Sequence, residues 1–171
     1  MTHAVYPVPR HRKNELLVHL LTAHPHDSVL VFTRTKSGAD RVVSDLKRAG
    51  IQAGAMHADK SQKDRLQALE DFKRGTLRVL VATDVAARGI DIDDVAAVVH
   101  YEPPIDVKTY LHRSGRTARA GRDGWAVTLA EYNQHTTCRI IQRALRLPTV
   151  APIEVFSNDA RLRDLRKFLA E

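Results

Sequence analysis

The sequence predicts an α/β domain, a mostly parallel β-sheet with helices on both faces. Two observations carry the prediction. Short, apolar, β-rich runs alternate with longer stretches of helical periodicity from about Arg10 to Leu147. The polar, basic and glycine-bearing segments gather just after those runs, at the carboxyl edge where parallel sheets hold their ligands.

Residues 1–9, with Pro7 and Pro9, read as an extended lead-in or linker. From about Arg10 the pattern is helical, with Leu16, Leu17, Leu20 and Leu21 on one stripe. SVLVF at 28–32 has the length and composition of a buried strand. Ser37 is a candidate cap for a helix in which Ala39, Val42, Val43, Leu46 and Ala49 recur at helical spacing, and Gly50 can end it. A strand follows at 51–56, then a helix from Ser61 with Leu66, Leu69 and Phe72 inward and Gly75 beyond its end. Ser61 and Asp64 approximate a capping box there. Further strands are expected at 77–82, 95–100 and 125–130, and a helix over 132–147 with Ile141 and Leu145 four apart. Residues 10–147 therefore read as one domain. Residues 148–171 form a C-terminal segment whose Leu162, Leu165, Phe168 and Leu169 predict a final amphipathic helix.

With 171 residues, 43 % of them hydrophobic, the chain can build one core and is not of disordered composition. No apolar run approaches the roughly 20 residues that span a bilayer, and MTHAVYPVPRHRKNE lacks the apolar stretch of a secretory signal, so no membrane partner is expected. Cys138, the only cysteine, rules out an intrachain disulfide and a thiolate cluster, which fits a reducing, cytoplasmic setting. The nine histidines contain no H-E-x-x-H pair, and no metal site is expected in this chain. Lysine and arginine total 27 against 20 acids, a balance that suits a polyanionic partner but also an ordinary solvated surface. Aromatics at 5 % are too few for a base-stacking platform. A monomer is the default expectation.

Position separates the two readings of the charge. In His112-Arg113-Ser114-Gly115-Arg116-Thr117-Ala118-Arg119, a helix would set His112, Arg116 and Arg119 at i, i+4 and i+7 on one face. Such a row suits an anion with several oxygens, above all a triphosphate, because arginine offers a rigid five-donor fork. An ordinary basic helix facing water is the alternative. VLVATDVAARGIDI at 79–92 is an apolar strand ending in Thr83-Asp84, then a turn with Arg88, Gly89 and Asp91. Thr83 can offer a hydroxyl and an N–H to a phosphate, Gly89 allows close backbone approach, and Asp91 can accept from a ribose hydroxyl. A helix cap and a tight turn are the plainer readings of Thr83-Asp84 and Gly89. Gln62 and Arg65, three apart on the Ser61 helix, can meet at the same edge.

Together, VLVFTRTK, HADKSQKDR, VATDVAARGIDID and YLHRSGRTARAG resemble, in order and spacing, motifs of the C-terminal RecA-like domain of DEAD-box ATP-dependent RNA helicases, and the match covers roughly residues 10–147. The resemblance implies that Arg119 is the arginine finger at the γ-phosphate, Arg116 its companion and His112 a link between the two domains on closure. It further implies that Asp91 contacts the ribose, with Gly89 allowing close approach, and that Thr35, Arg65 and Thr83 hold the RNA backbone. The expected ligands are ATP with Mg2+ and RNA, and the expected partner is an N-terminal RecA-like domain. Three departures from the family pattern are His57-Ala58 for His-Gly, Glu102-Pro103-Pro104 for Asp-x-Pro, and Arg-Thr-Ala-Arg at 116–119 for Arg-Thr-Gly-Arg.

No G-x-x-x-x-G-K-[ST] loop and no D-E-A-D stretch occur in the chain. The phosphate cradle and the Mg2+ ligands are therefore expected upstream of Met1, and the chain alone is expected to be inactive as an ATPase. A free-standing RNA-binding module is the competing class, and a DNA-directed helicase relative a third. The aligned triphosphate contacts argue against the former, and the 2′-hydroxyl would discriminate the latter.

Overall fold

The computed structural model describes residues 2–88, 90, 92–118 and 123–147. Strands β1 (Thr2–Pro7), β2 (Val29–Thr33), β3 (Ala53–Met56), β4 (Val79–Thr83), β5 (Ala97–His100) and β6 (Trp125–Ala130) form one sheet in the order β1-β6-β5-β2-β4-β3. Every pairing in it is parallel. The helices are α1 (Lys13–Ala23), α2 (Lys36–Arg48), α3 (Gln62–Arg74), α4 (Asp84–Ala87), α5 (Val107–Ser114) and α6 (His135–Ala144).

Both faces of the sheet are covered, and the period-2 alternation of the strands divides the core accordingly. Val29, Val31, Val79, Val81, Ala97 and Val99 face one side, against Leu17, Leu20, Leu21 of α1 and Val42, Leu46 of α2. Leu30, Phe32, Leu80, Ala82 and Val98 face the other, against Phe72 of α3 and Ala86, Ala87 of α4. This is why β2, β4 and β6 read as continuous apolar runs: each residue is buried whichever way it points. Leu17, Leu20 and Leu21 are fully enclosed, each stabilising the fold by about 1.5–3 kcal/mol.

Several sequence expectations change. Within the segment expected as a lead-in or linker, Thr2–Pro7 is part of the sheet, an edge strand paired residue for residue with β6. Its prolines concealed it; Pro7 ends the strand and Pro9 precedes a 3₁₀ turn at Arg10–Arg12 that leads into α1. Thr35, not Ser37, caps α2: its Oγ1 accepts from the Gly38 N–H at 3.0 Å. Gly38 matters to that cap, because a Cβ there would lie 2.9 Å from the same oxygen. Ser61 caps α3 as expected, accepting from the Asp64 N–H, and Gly75 ends it in the left-handed region at φ 83°. Leu66, expected inward, is 56 % exposed, whereas Phe72 is buried and Leu69 packs against the core. The amphipathic segment at 162–169 lies outside the described residues.

Candidate functional site

The connections leaving β2 and β5 run in opposite directions along the sheet, β2 toward β3 and β5 toward β6. Adjacent strands whose chains part in this way open a crevice at their carboxyl ends. The crevice is present: a cleft of about 260 Å³ lined by Arg34 after β2, Asp84 and Arg88 beside α4, and His112, Arg113 and Arg116 at the end of α5.

The helical row expected for His112, Arg116 and Arg119 is not what brings the first two together. α5 stops at Ser114, with Gly115 as its C-cap, so Arg116 lies past the helix. There the chain is held to the sheet instead. Thr117 forms a β-bridge to Val95 and donates its hydroxyl to the Val95 carbonyl at 2.5 Å. Ala118 follows with φ 57°, a left-handed conformation that costs a Cβ-bearing residue about 1–2 kcal/mol. It stands where the family pattern more often has glycine. His112 is exposed on α5, while Arg116 donates to the Ile90 carbonyl at 3.4 Å and lies 3.8 Å from Asp93. Arg119, Gly89 and Asp91 lie outside the described residues.

The buried arginine of this segment is Arg113, which sequence reasoning passed over. Tyr110, Arg113 and Ser114 are the buried positions of α5, at i, i+3 and i+4, so the inward stripe of the helix carries a guanidinium. Nε and Nη2 donate to the two Asp84 oxygens at 2.7 Å each, and Nη1 donates to the Glu102 carbonyl at 3.0 Å. The group also lies over the Phe32 ring, 5.3 Å from its centroid. Thus the Asp of Thr83-Asp84 is engaged by Arg113, and the remaining basic groups of the cleft are Arg34, Arg88, His112 and Arg116. Behind the pair, His100 is fully buried, with Ser114 Oγ at 3.2 Å and its ring stacked on Tyr110. Burial, then the adjacent Arg113, hold its imidazole well below the usual pKa, so it is neutral in the fold.

The three residues expected along RNA occupy the carboxyl edge of three adjacent strands. Thr35 follows β2, Thr83 ends β4, and Arg65 lies on the first turns of α3 after β3, with β4 between β2 and β3. Thr33 and Thr83 are in register across β2 and β4. Thr83 is the N-cap of α4 but makes no side-chain cap bond. Arg65 meets Gln62 as expected, Nη2 to Oε1 at 2.8 Å, and its Nε is enclosed with no acceptor among the described residues. His57, in the loop before α3, was not anticipated. It is buried, its Nε2 lies 2.9 Å from Asp40 of α2, and its Nδ1 accepts from the Asp59 N–H, which together pin that loop to α2. The same bond lowers the Asp40 carboxyl pKa.

No group of three metal-binding side chains occurs among the described residues. Nor is any described helix long and apolar enough to cross a membrane.

Comparison with known proteins bears on this arrangement. A family model described as the helicase conserved C-terminal domain matches residues 12–121. The ATP-dependent rRNA helicase RRP3 of Kluyveromyces lactis is 46 % identical over 134 residues, which is 78 % of this chain and 28 % of that protein. The chain thus spans under a third of the length of such relatives. Among solved structures, the E. coli DEAD-box protein SrmB, bound to regulator of ribonuclease activity A, matches with a TM-score of 0.79 at 37 % identity, covering 95 % of this chain and 92 % of that one. S. cerevisiae Dbp5 bound to RNA and ADP BeF3 matches with a TM-score of 0.81 at 29 % identity, covering 98 % of this chain and 45 % of that one.

Proposed function

Because the chain belongs to the DEAD-box RNA helicases, of which it is the helicase C-terminal domain, we propose that it works as half of an ATP-dependent RNA helicase. In the whole protein it closes on an N-terminal RecA-like domain, with ATP in the cleft between them. The observation that carries this reading is the cleft itself, in which His112 and Arg116 open onto a crevice whose one carboxylate among the described residues, Asp84, is already paired. A cationic crevice of that kind stabilises charge developing on a transferring phosphoryl group.

Among the described residues Arg116 is held loosely, by Asp93 and Ile90, so it can exchange those contacts for phosphate oxygens. Arg119 is the proposed arginine finger, a role worth about 10³–10⁵ in turnover where such a residue acts. Asp91 and Gly89 are proposed at the ribose, and Thr35, Arg65 and Thr83 along the RNA sugar-phosphate backbone. Backbone contacts confer little sequence preference.

Mg2+ does not fit the described residues of this cleft. Among them the carboxylate, Asp84, has both oxygens engaged by Arg113, and the other polar side chains are mainly cations. The metal's ligands are assigned to the N-terminal half. The single buried cysteine fits a reducing, cytoplasmic location, and a monomer remains the expectation.

The deciding experiment is ATP turnover by the purified chain, with and without single-stranded RNA, beside RNA binding at several salt concentrations. No turnover together with salt-sensitive RNA binding supports a half-site awaiting its partner. RNA-stimulated turnover that disappears in Arg119→Ala would overturn the half-site reading, because the chain would then hold its own phosphate cradle.

A further inference from the structure

A second cavity, of about 340 Å³, opens beside α2 on the same carboxyl edge of the sheet. Its inner wall includes the buried Lys13 and the half-buried Tyr101, and its mouth carries Arg10, Arg34 and Arg41, all exposed. Four cations thus surround it, against two carboxylates, Glu102 and Glu131.

Those carboxylates are already engaged. Glu102 accepts from the Arg34 backbone N–H. Glu131 accepts at the start of the 3₁₀ turn Tyr132–Gln134 and lies 3.8 Å from Lys13 Nζ. Lys13 donates to the Tyr101 carbonyl at 2.8 Å and stands over the Tyr101 ring. By contrast, the guanidinium groups of Arg10, Arg34 and Arg41 make no hydrogen bond or ion pair among the described residues. Burial lowers the Lys13 pKa, with Glu131 and Glu102 opposing the shift and Arg34 and Arg10 adding to it.

We propose that this cavity is a phosphate-binding site that takes backbone phosphates of the RNA strand beyond Thr35. The proposal rests on the RNA reading above, since Thr35 lines this cavity as well as belonging to the proposed backbone track. It extends that track sideways, from β2 across the ends of β5 and β6, rather than toward β4 and β3. Two further features favour a nucleic-acid strand over a free phosphate compound. Arg34 also lines the nucleotide cleft, so the two cavities adjoin along one path. Tyr132, next to Glu131 in the chain, is 92 % exposed, and such a ring offers a base a stacking surface. Because Arg34 serves both cavities, an RNA phosphate here would also bear on a side chain that lines the cleft.

The test is binding of fluorescein-labelled single-stranded oligouridylate to the chain, followed by anisotropy over a range of salt. Arg10→Gln/Arg41→Gln is compared with the parent chain, with Arg48→Gln as a charge control at the far end of α2 and Arg65→Gln as a probe of the main track. Arg10, Arg41 and Arg48 are exposed and Arg65 is half-buried, and far-UV circular dichroism with a melting curve verifies that each variant folds. The expected result is a loss of roughly fivefold in affinity at about 0.1 M salt for each phosphate contact removed, with the log–log salt slope shallower by about 0.7 per contact. Arg48→Gln should bind as the parent does. If the double variant keeps the parental affinity and slope while Arg65→Gln weakens binding, this inference falls and the RNA reading stands. If the parent chain binds no RNA, both fall. Thermal stabilisation by tripolyphosphate that the double variant loses, with RNA affinity unchanged, would also overturn the proposal by making the occupant a free phosphate.

Discussion

Arg113 of α5 and Asp84 at the head of α4 face each other through two parallel N–H···O bonds of 2.7 Å. The guanidinium side chain is 5 % exposed and the carboxylate 35 %. Removing one partner of such a pair leaves a desolvated charge, and the penalty exceeds anything the intact pair contributes. Asp84→Ala is therefore expected to destabilise the domain by about 3 kcal/mol. Arg113→Lys, which keeps the charge but loses the fork, should also destabilise it, by less. Urea unfolding midpoints at constant slope measure both. Unchanged midpoints would mean that the pair is dispensable to the fold.

Ala118 gives an opposite expectation. At φ 57° it holds a conformation that glycine adopts freely, and the neighbouring chain is close: a Cβ on Gly124 would lie 2.8 Å from the Ala118 nitrogen. Ala118→Gly should raise stability by about 0.5–1 kcal/mol, the relief of strain exceeding the added freedom of the unfolded chain. A lower melting temperature for this variant would contradict the backbone geometry described.

Acid should weaken the fold through His100. Its pKa is depressed in the folded state by burial and by Arg113, and that of His3, which bonds the Tyr110 hydroxyl, is lowered mainly by burial. Below the ordinary value of 6.5 the unfolded chain takes up protons that the folded one refuses. Stability is thus full above that pH and declines as pH falls through it, with a slope of at most about 1.4 kcal/mol per pH unit for each such histidine. In His100→Gln the dependence between about pH 7 and pH 5 should flatten. Chemical denaturation at a series of pH values reads the difference, and an unaltered slope would assign the effect to other groups.

Thr35 has two roles to separate, the cap of α2 and the proposed RNA contact. Thr35→Ala should cost about 1 kcal/mol through the lost cap, and also weaken RNA binding. Thr35→Asp retains a capping oxygen and places a negative charge at a helix N-terminus, so stability should be kept while RNA affinity falls. Equal RNA affinity in the Asp variant and the parent would remove Thr35 from the track.

Features set by near neighbours in the chain were legible in the sequence. The strand at 125–130, the Ser61 cap and the Gly75 stop depend on residues within a few positions of one another. The Gln62–Arg65 contact follows from helical spacing alone. Exposure of Leu66 was not legible, because the hydropathy of a residue does not say how wide the buried stripe of its helix is. The carboxyl-edge location of the polar segments, by contrast, followed from strand–helix alternation.

By itself, then, the sequence determined the α/β class, the alternation of five of the six strands with helices and which chemical groups stand at the strand ends, since periodicity and turn residues act over short range. Only the tertiary structure decided that Thr2–Pro7 closes the sheet against β6, that α5 ends before Arg116, and that Arg113 rather than a leucine points inward. Those outcomes depend on partners far along the chain: 29 residues separate Arg113 from Asp84, and 88 separate Lys13 from the Tyr101 carbonyl. A buried cation is tolerable only where such a partner is waiting, and sequence spacing carries no record of it.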